Sequence, residues 1–232
     1  YTKVILSINV GMGAGNNIGI LNSKTDYVYI LNPDVELNEV TIKSLNQSIS
    51  NIKDFAILSP ISDNIDYPNY KEKKETRDSN LISVAEIDGY SMIINKNFFS
   101  DRGFFDEKFF MYLENVDLCL RAKNQGGNLF ICTNSKINHL GAKGVDEKFF
   151  EEVELSRNWH WMWSKFYFDK KHKGFYLSFM MGITSLIFNC LKYFIYIVQL
   201  NRYKKKIYCM RVSGLVNSML GKKSSYRPKI LN

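Results

Sequence analysis

The amino-acid sequence predicts an α/β protein, in which a sheet carries helices on its faces and a helical region follows. Short apolar runs rich in β-branched residues alternate with segments of helical periodicity, as expected for such a sheet. Of the 232 residues, 45% are hydrophobic and 23% charged, which is enough for one folded core or a core with a small appendage. The predicted strands are residues 3–9, 27–31, 55–58, 91–94 and 128–132.

The segments between these strands supply helices and loops. Residues 38–52 and 114–124 place apolar side chains at helical spacing, and Gly126 and Gly127 end the second of these helices. The remaining predicted features are a short helix at 18–23, a helix start near Asn97, a surface loop at 62–80 and an irregular aromatic segment at 104–112.

From Val145 the character changes to long, aromatic helices, and the chain is predicted to form a sheet domain at 1–150 and a helical region at 151–232. Residues 175–200 are strongly apolar, but polar or small residues recur along one helical face at alternating intervals of four and three. Three arrangements stay open for this helix. It spans a membrane and packs on a partner, it lies in the membrane interface on its basic flanks, or it packs on the protein's own domain.

The basic charge is concentrated in the C-terminal region. The formal net charge is +8, and from Lys165 onward Asp169 is the only carboxylate side chain. A basic tail suits an anionic surface, either phospholipid or nucleic acid, or forms a solvated exterior. No nucleic-acid-binding motif occurs, so nucleic acid is not a predicted partner. The four cysteines are widely spaced and fit no CxxC pattern, which indicates a reducing, cytoplasmic compartment.

A glycine-rich turn follows the first predicted strand. Gly11, Gly13 and Gly15 give a GxGxG pattern, but Asn16 stands where the dinucleotide-binding fingerprint requires its third glycine. The acidic residue that would bind the ribose is also missing from the end of the next strand. The sequence therefore gives only weak support to a nicotinamide-dependent enzyme.

Carboxylates occur where α/β proteins bind ligands. Asp34 lies in an Asn-Pro-Asp turn directly after a buried strand, where it either binds a metal ion that carries a diphosphate or shapes an ordinary turn. Glu114 and Asp117 share one face at a helix N-terminus, and apolar surroundings would raise the pKa of Glu114 toward that of a general base. Arg121 offers Asp117 a structural partner instead. His139 follows another strand and is either structural or a metal ligand.

In this order, these elements resemble the inverting family-2 glycosyltransferases of the GT-A fold, especially the rhamnosyltransferase-like members that build bacterial surface polysaccharides. The resemblance covers residues 3–141 and rests on the segments NVGMGAGNNIGI, YVYILNPDVEL, DGYSMIINKNFFSDRGFFDEKFFMYLENVDLCLRAKNQGG and INHLG. It implies a mixed GT-A sheet with helices on both faces. The first strand of that fold, with its base-reading aspartate, is expected to precede Lys3.

The resemblance also implies a set of site residues. Asp34 and His139 are expected to hold Mn²⁺ or Mg²⁺, and the imidazole ligand favours Mn²⁺. Glu114 is the first candidate for the catalytic base and Asp117 the second, because Asn115 occupies the family's usual base position and cannot accept a proton. The residues expected to bind the nucleotide sugar are Asn9, Gly11, Asn17, Asn32, Asp34, Asp88 and Gly89.

The function implied by the resemblance is metal-dependent sugar transfer with inversion. The expected donor is a dTDP- or UDP-sugar, with dTDP-rhamnose first, and the expected acceptor is a glycan or a polyprenyl-linked glycan at the inner face of the cell membrane. Two other classes stay open. One is a non-catalytic module that binds a nucleotide sugar or glycan, and the other is a protein that engages a membrane or nucleic acid through its basic tail.

Overall fold

The computed structural model describes residues 3–52, 54–64, 68–78, 80–140 and 146–228, with the backbone alone at 72–78. Two positions singled out in the sequence lie outside the described residues: Gly141, which ends the INHLG segment, and Val145, where the helical character begins. The chain divides into two compact units. The first comprises residues 1–106 and 114–144, and the second comprises residues 107–113 and 145–232.

The first unit is built on a seven-stranded, mostly antiparallel sheet. Its elements are α1 (Met12–Asn22), β1 (Tyr27–Leu31), β2 (Val35–Glu36), α2 (Glu39–Asn51), β3 (Ile57–Ser62), β4 (Tyr70–Asp78), β5 (Leu81–Ile87), β6 (Ser91–Asn95), α3 (Lys96–Phe99), α4 (Glu114–Asn124) and β7 (Leu129–His139). The strand order is β1-β6-β3-β7-β5-β4, and β2 pairs with β7 outside this path. Only the β3–β7 pair is parallel among the described strands.

Successive side chains of the central strands pack on opposite faces of the sheet. Ile57 belongs to the core cluster that includes Ile20 of α1 and Leu118 of α4. Its neighbour Leu58 belongs to the cluster that includes Leu45 of α2. The predicted class, a mixed α/β sheet with helices on both faces and a helical C-terminal region, is therefore confirmed.

The strand predicted at residues 3–9 is wrong. Residues 3–10 have no strand partner among the described residues, and Leu6 and Ile8 are 92% and 83% exposed. A strand needs a neighbouring strand to satisfy its backbone hydrogen bonds, and an apolar, β-branched composition does not supply one. Periodicity alone therefore overestimated the sheet at this end of the unit.

The surface loop predicted at residues 62–80 is also wrong in part. Tyr70–Asp78 form β4, which pairs antiparallel with β5, a strand that the sequence analysis did not predict. β4 is the last strand in the sheet order. Charged residues are common on edge strands because one side of such a strand faces solvent. The polar composition of residues 70–78 therefore led to the prediction of a loop where the structure has an edge strand.

The strand predicted at residues 128–132 continues much further, as β7, to His139. Its parallel register with β3 shifts between Pro60 and Ile61, and the pairing resumes with Ile61 opposite Lys136. The extension carries the end of β7 to β2, where Val35 pairs with His139. The site described below depends on this extension.

The second unit contains three long helices, α5 (Phe150–Lys173), α6 (Phe175–Val198) and α7 (Arg202–Met219), preceded by a short 3-10 helix at Glu147–Phe149. Their core contains Met162, Phe166 and Leu215. The buried His160 contacts the Ser224 hydroxyl and the Tyr226 carbonyl oxygen, each at 2.9 Å, and so holds the segment after α7 against α5. This histidine is therefore part of the packing of the second unit.

Gly214 allows α7 to approach α5 closely. A Cβ atom at this position would lie 2.2 Å from the Trp159 carbonyl oxygen, which is backbone and cannot move aside. We expect Gly214→Ala to lower the free energy of unfolding by about 1–3 kcal/mol, as overpacking does. The matched control is Gly15→Ala in α1, where a Cβ meets nothing within 4 Å and the helix gains propensity. Denaturant unfolding measures both, and equal stabilities for the two variants would contradict the close approach.

Candidate functional site

The candidate site forms where β1 ends. The Asn32 amide donates to the Tyr90 carbonyl oxygen at 2.9 Å, which ties the turn after β1 to the start of β6. Pro33 follows and ends the strand, since proline cannot donate to a sheet ladder. The chain then enters β2, and the Leu140 amide donates to the Asp34 carbonyl oxygen at 3.0 Å. These backbone contacts set Asp34 beside the end of β7.

Asp34 and His139 lie in direct contact. The Asp34 Oδ2 atom is 3.2 Å from His139 Nε2, and the two side chains are 31% and 28% exposed. The other carboxylate oxygen, Asp34 Oδ1, is buried and has no hydrogen-bond partner among the described residues. Buried carboxylate oxygens are normally satisfied, so an unsatisfied one beside an imidazole marks a place where a ligand can bind.

Tyr90 holds the imidazole from one side. Its ring stacks on His139 with the centroids 4.0 Å apart and the planes 9° from parallel. Burial raises the pKa of Tyr90, and its hydrogen bond with the Ser62 side chain partly offsets that effect. The sequence analysis named Asp88 and Gly89 of the DGY segment but omitted Tyr90. The signal that could have found it is an aromatic side chain in a turn, directly before a strand.

Asp88 and Gly89 form the turn between β5 and β6. The Asp88 amide donates to the carbonyl oxygen of the fully buried Asn69 at 2.9 Å. Burial raises the pKa of Asp88, with a further upward contribution from Glu86 and downward contributions from Lys71 and His139. The contribution of His139 indicates that Asp88 lies within electrostatic range of the Asp34–His139 pair.

Gly89 packs tightly against two other parts of the site. A Cβ atom there would lie 2.7 Å from Met12 Cε and 3.3 Å from Asn115 Cβ. The Asn115 side-chain amide donates to the Ile87 carbonyl oxygen at 2.9 Å. Asn115 therefore fastens α4 to the end of β5.

The glycine-rich turn leads directly into α1. Gly11 caps the helix with φ 94°, a left-handed conformation that glycine adopts without strain. The Asn9 side-chain oxygen accepts a hydrogen bond from the Gly11 amide at 3.1 Å. The predicted nucleotide-binding residues Asn9 and Gly11 thus contact one another and shape the entry to the helix.

Both polar atoms of the Asn17 side chain form hydrogen bonds with the backbone of Phe105. Asn17 is buried, its side-chain nitrogen donates to the Phe105 carbonyl oxygen at 2.9 Å, and its side-chain oxygen accepts from the Phe105 amide at 3.0 Å. This two-point contact anchors the aromatic segment to α1. The structure therefore gives Asn17 a role in positioning Phe105.

Glu114 begins α4 and lies against the glycine-rich first turn of α1. A Cβ atom on Gly13 would be 3.5 Å from Glu114 Cβ. The Glu114 side chain is 4% exposed, and its Oε2 atom has no hydrogen-bond partner among the described residues. Burial raises the pKa of Glu114 from 4.5 to about 7, partly offset by a hydrogen bond to its own backbone. A carboxyl group with this pKa can exchange a proton near neutral pH.

Asp117 differs from Glu114 in having a charged partner. It is fully buried, and its Oδ2 atom accepts a hydrogen bond from Arg121 Nε at 2.8 Å. Arg121 also donates to the carbonyl oxygens of Gly103 and Phe104. The pair therefore joins α4 to the aromatic segment. This network leaves Glu114 as the stronger candidate for a base.

The residues that could hold a metal ion are Asp34 and His139. Among the described residues no group of three His, Cys, Asp or Glu side chains is arranged as a metal cluster. Two protein ligands nevertheless suit Mg²⁺ or Mn²⁺ when the phosphates of a substrate and water complete the coordination. The unsatisfied Asp34 Oδ1 atom is consistent with such a shared site.

Comparison with known proteins gives a curated relative that matches part of the chain. No family model matches the chain. The low-salt glycan biosynthesis hexosyltransferase Agl10 of Haloferax volcanii is 28% identical over 163 residues, which cover 62% of this chain and 52% of that protein. The chain therefore spans about half the length of this relative.

Solved structures show weaker similarity. GalNAc-T7 crystallised with UDP, GalNAc and Mn²⁺ is 15% identical with a TM-score of 0.47, covering 65% of this chain and 37% of that one. The inositol-1-phosphate CTP transferase of T. maritima is 14% identical with a TM-score of 0.39, covering 62% and 61%. Similarity at this level does not inform the chemistry of the site.

Proposed function

We propose that this chain forms the catalytic part of a glycosyltransferase, which moves a sugar from a nucleotide-sugar donor to a glycan acceptor. The observation that carries the proposal is the contact between Asp34 and His139 at the end of β1, with Asp34 Oδ1 buried and unsatisfied. Ligands of open α/β sheets bind at strand ends of this kind. The curated hexosyltransferase relative supports the same reaction class.

The donor's diphosphate is the group that suits the Asp34–His139 pair. Asp34 and His139 would hold a Mn²⁺ or Mg²⁺ ion, which when bound neutralises negative charge on the diphosphate as it leaves. Tyr90 fixes the plane of the His139 ring through its stacking contact, so Nε2 stays directed at Asp34. A ligand held in one orientation needs no rearrangement when the donor arrives.

Glu114 is the base that we assign to the acceptor. The acceptor hydroxyl gives its proton to the Glu114 carboxylate while the hydroxyl oxygen forms a bond to the anomeric carbon of the sugar. The bond between that carbon and the diphosphate oxygen breaks, and the nucleoside diphosphate leaves with the electron pair. Attack and departure occur on opposite sides of the carbon, so the configuration inverts. No covalent intermediate with the protein is required.

The finer specificity follows from the family resemblance. dTDP-rhamnose is the first donor to test, followed by UDP-hexoses, and the acceptor is a glycan, free or polyprenyl-linked. The relative's role in glycan biosynthesis supports an acceptor of this class. It does not distinguish among the sugars.

The test measures release of nucleoside diphosphate by the full-length gene product from a panel of dTDP-, UDP- and GDP-sugars. Each donor is assayed with Mn²⁺, with Mg²⁺ and with EDTA. We expect release from one donor class that depends on a divalent metal and increases when an acceptor glycan is added. Proton NMR of the product then reports the anomeric configuration, and retention would contradict the single displacement.

A folded protein that releases nothing from any donor overturns the proposal. If calorimetry then detects donor binding without turnover, the function is that of a nucleotide-sugar binding module. The burial of Glu114 favours the binding module, because a catalytic base must be reached by the acceptor and this carboxylate is buried. Circular dichroism on the same sample shows whether an inactive protein is folded.

A further inference from the structure

One face of α6 is apolar and open to solvent. The helix has 24 residues, and by length and composition it could cross a membrane. Large hydrophobic side chains recur along its exposed side from its first turn to its last. Those exposed by more than half are Tyr176, Leu177, Met180, Ile187, Phe188, Leu191, Phe194 and Val198. Monomeric soluble proteins rarely leave a continuous apolar surface of this length uncovered.

Basic clusters flank this apolar face at both ends. Lys170, Lys171 and Lys173 close α5 immediately before α6 begins, while Arg202 and Lys204 open α7 immediately after α6 ends. All five side chains are exposed. At 1.5 Å per residue, α6 separates the two clusters by about 36 Å. The surface therefore presents an apolar strip between two cationic ends.

The opposite side of α6 is polar in its first half. Ser178 and Gly182 are buried there, and a cavity of about 310 Å³ lies beside them. Lys165 and Asp169 of α5 line this cavity together with residues of α6 and α7. Asp169 also pairs with Lys173 at 2.6 Å. Charged side chains of α5 therefore lie beside the first half of α6.

The second half of α6 also has polar neighbours. The buried Asn189 accepts a hydrogen bond from Arg211 Nε of α7 at 2.8 Å, and Arg211 donates to Asn158 of α5 at 3.1 Å. Asn158 in turn donates to Glu154 at 2.8 Å. If α6 spanned a bilayer with these helices packed on it, Arg211 and Glu154 would enter the hydrocarbon. That position is strongly unfavourable for charged side chains.

We infer that α6 lies in the plane of an anionic lipid bilayer, with its exposed face among the acyl chains and its basic ends on the headgroups. The apolar face enters about 5–10 Å, the depth typical of interfacial helices. The Lys and Arg side chains near the two ends of α6 attract anionic headgroups, and this charge complementarity favours an anionic lipid bilayer as the partner of the apolar face. The polar side of α6 stays on its own helical unit. This inference does not depend on sugar transfer.

The experiment is flotation of the full-length protein with vesicles, in the absence of any nucleotide sugar. One set of vesicles is phosphatidylcholine alone, and the other contains about 30% phosphatidylglycerol, which provides the surface charge. We expect binding to the anionic vesicles, at least about 10-fold weaker binding to the neutral ones, and loss of binding as salt is raised. Unbound protein with both vesicle types overturns the inference.

Two variants test the face and its ends. Leu191→Glu with Phe194→Glu places charge on the exposed face without touching the core, since these side chains are 58% and 61% exposed. Arg202→Glu with Lys204→Glu reverses one basic end. Each pair should weaken binding to anionic vesicles at least about 10-fold. The matched control is Leu21→Glu with Val40→Glu, at side chains 69% and 67% exposed in the first unit, and it should bind like wild type.

Two other results contradict the in-plane arrangement. Protein that stays with the membrane after alkaline carbonate extraction is integrated, which favours a spanning helix. A wild-type dimer by light scattering that Leu191→Glu with Phe194→Glu converts to monomers, together with no vesicle binding, identifies a second copy of the chain as the occupant. Because the vesicle assay contains no donor, a failed transfer assay and a failed flotation assay stay distinguishable.

Discussion

Asp34→Asn should reduce metal-dependent sugar transfer by at least about 100-fold while the protein stays folded. The substitution keeps the size of the side chain but removes the charge that attracts a divalent cation and its diphosphate. Losses of about 10²–10³ are typical when one group that stabilises developing charge is removed. Initial rates at saturating donor and Mn²⁺ measure the effect. We also expect this variant to bind the Mn²⁺ complex of the nucleoside diphosphate more weakly than wild type, which calorimetry measures.

The matched control for this variant is Asp63→Asn. Asp63 also follows a strand, β3, and its side chain is 49% exposed with Lys136 at 3.4 Å. Loss of such a surface pair changes stability by less than about 1 kcal/mol and should leave the transfer rate unchanged. If Asp34→Asn transfers sugar as fast as Asp63→Asn, the Asp34–His139 contact is a structural turn and the proposed donor site is wrong.

Glu114→Gln should lower kcat by about 10²–10⁴-fold, because glutamine cannot accept the proton of the acceptor hydroxyl. The wild-type rate should increase with pH through about 7, as the carboxyl loses its proton. The residual rate of the variant should lack that step. Rate measurements between about pH 5 and 9 give both results. An unchanged kcat would exclude Glu114 as the base.

Glu39→Gln is the matched control, since Glu39 also begins a helix, α2, but its side chain is 90% exposed. It should keep the wild-type rate and the wild-type pH profile. The comparison separates the buried position of Glu114 from any general effect of removing a carboxylate at a helix N-terminus.

Glu114→Gln should lower activity but raise stability at high pH, so a stability measurement also tests whether the inactive variant is folded. The pKa of Glu114 is raised in the folded state, so the folded protein binds this proton more tightly than the unfolded chain does. Its contribution to stability is therefore full below about pH 4.5 and falls as the pH rises to about 7. At about pH 8 the buried charge costs on the order of 3 kcal/mol. Glu114→Gln should be more stable than wild type there, and equally stable near pH 4.

Much of the fold could be predicted from local pattern. β1, β3 and β6 were expected close to where they occur, because their runs of apolar and β-branched residues are typical of strands. The strand at residues 27–31 was expected to be buried, yet β1 lies at the end of the strand order and only Ile30 of it is buried. The helix at 114–124 was expected with its observed bounds, since paired glycines follow it. The predictions of a strand at 3–9 and of a loop throughout 62–80 were wrong because a strand forms only beside a partner strand. Local composition does not reveal whether such a partner is present.

The site could be predicted only in part. Asp34, Glu114 and His139 were named from their positions at strand and helix ends, and their roles stay predictions. Tyr90 was missed because its stacking on His139 requires the register of β2 with β7. The nucleotide-binding role expected for Asn17 stays a prediction, and its contact with the Phe105 backbone is one that no spacing in the sequence indicates.

The sequence by itself determined the α/β class, the strand-end carboxylate and the apolar C-terminal helix, because each follows from hydrophobic periodicity or from the chemistry of a turn. Tertiary structure alone decided that His139 meets Asp34, that Glu114 is buried with one unsatisfied oxygen and a raised pKa, and that α6 turns its polar side inward. The physical reason is that periodicity reports which side of an element is apolar. Strand register and helix packing determine which distant side chains share a low-dielectric environment.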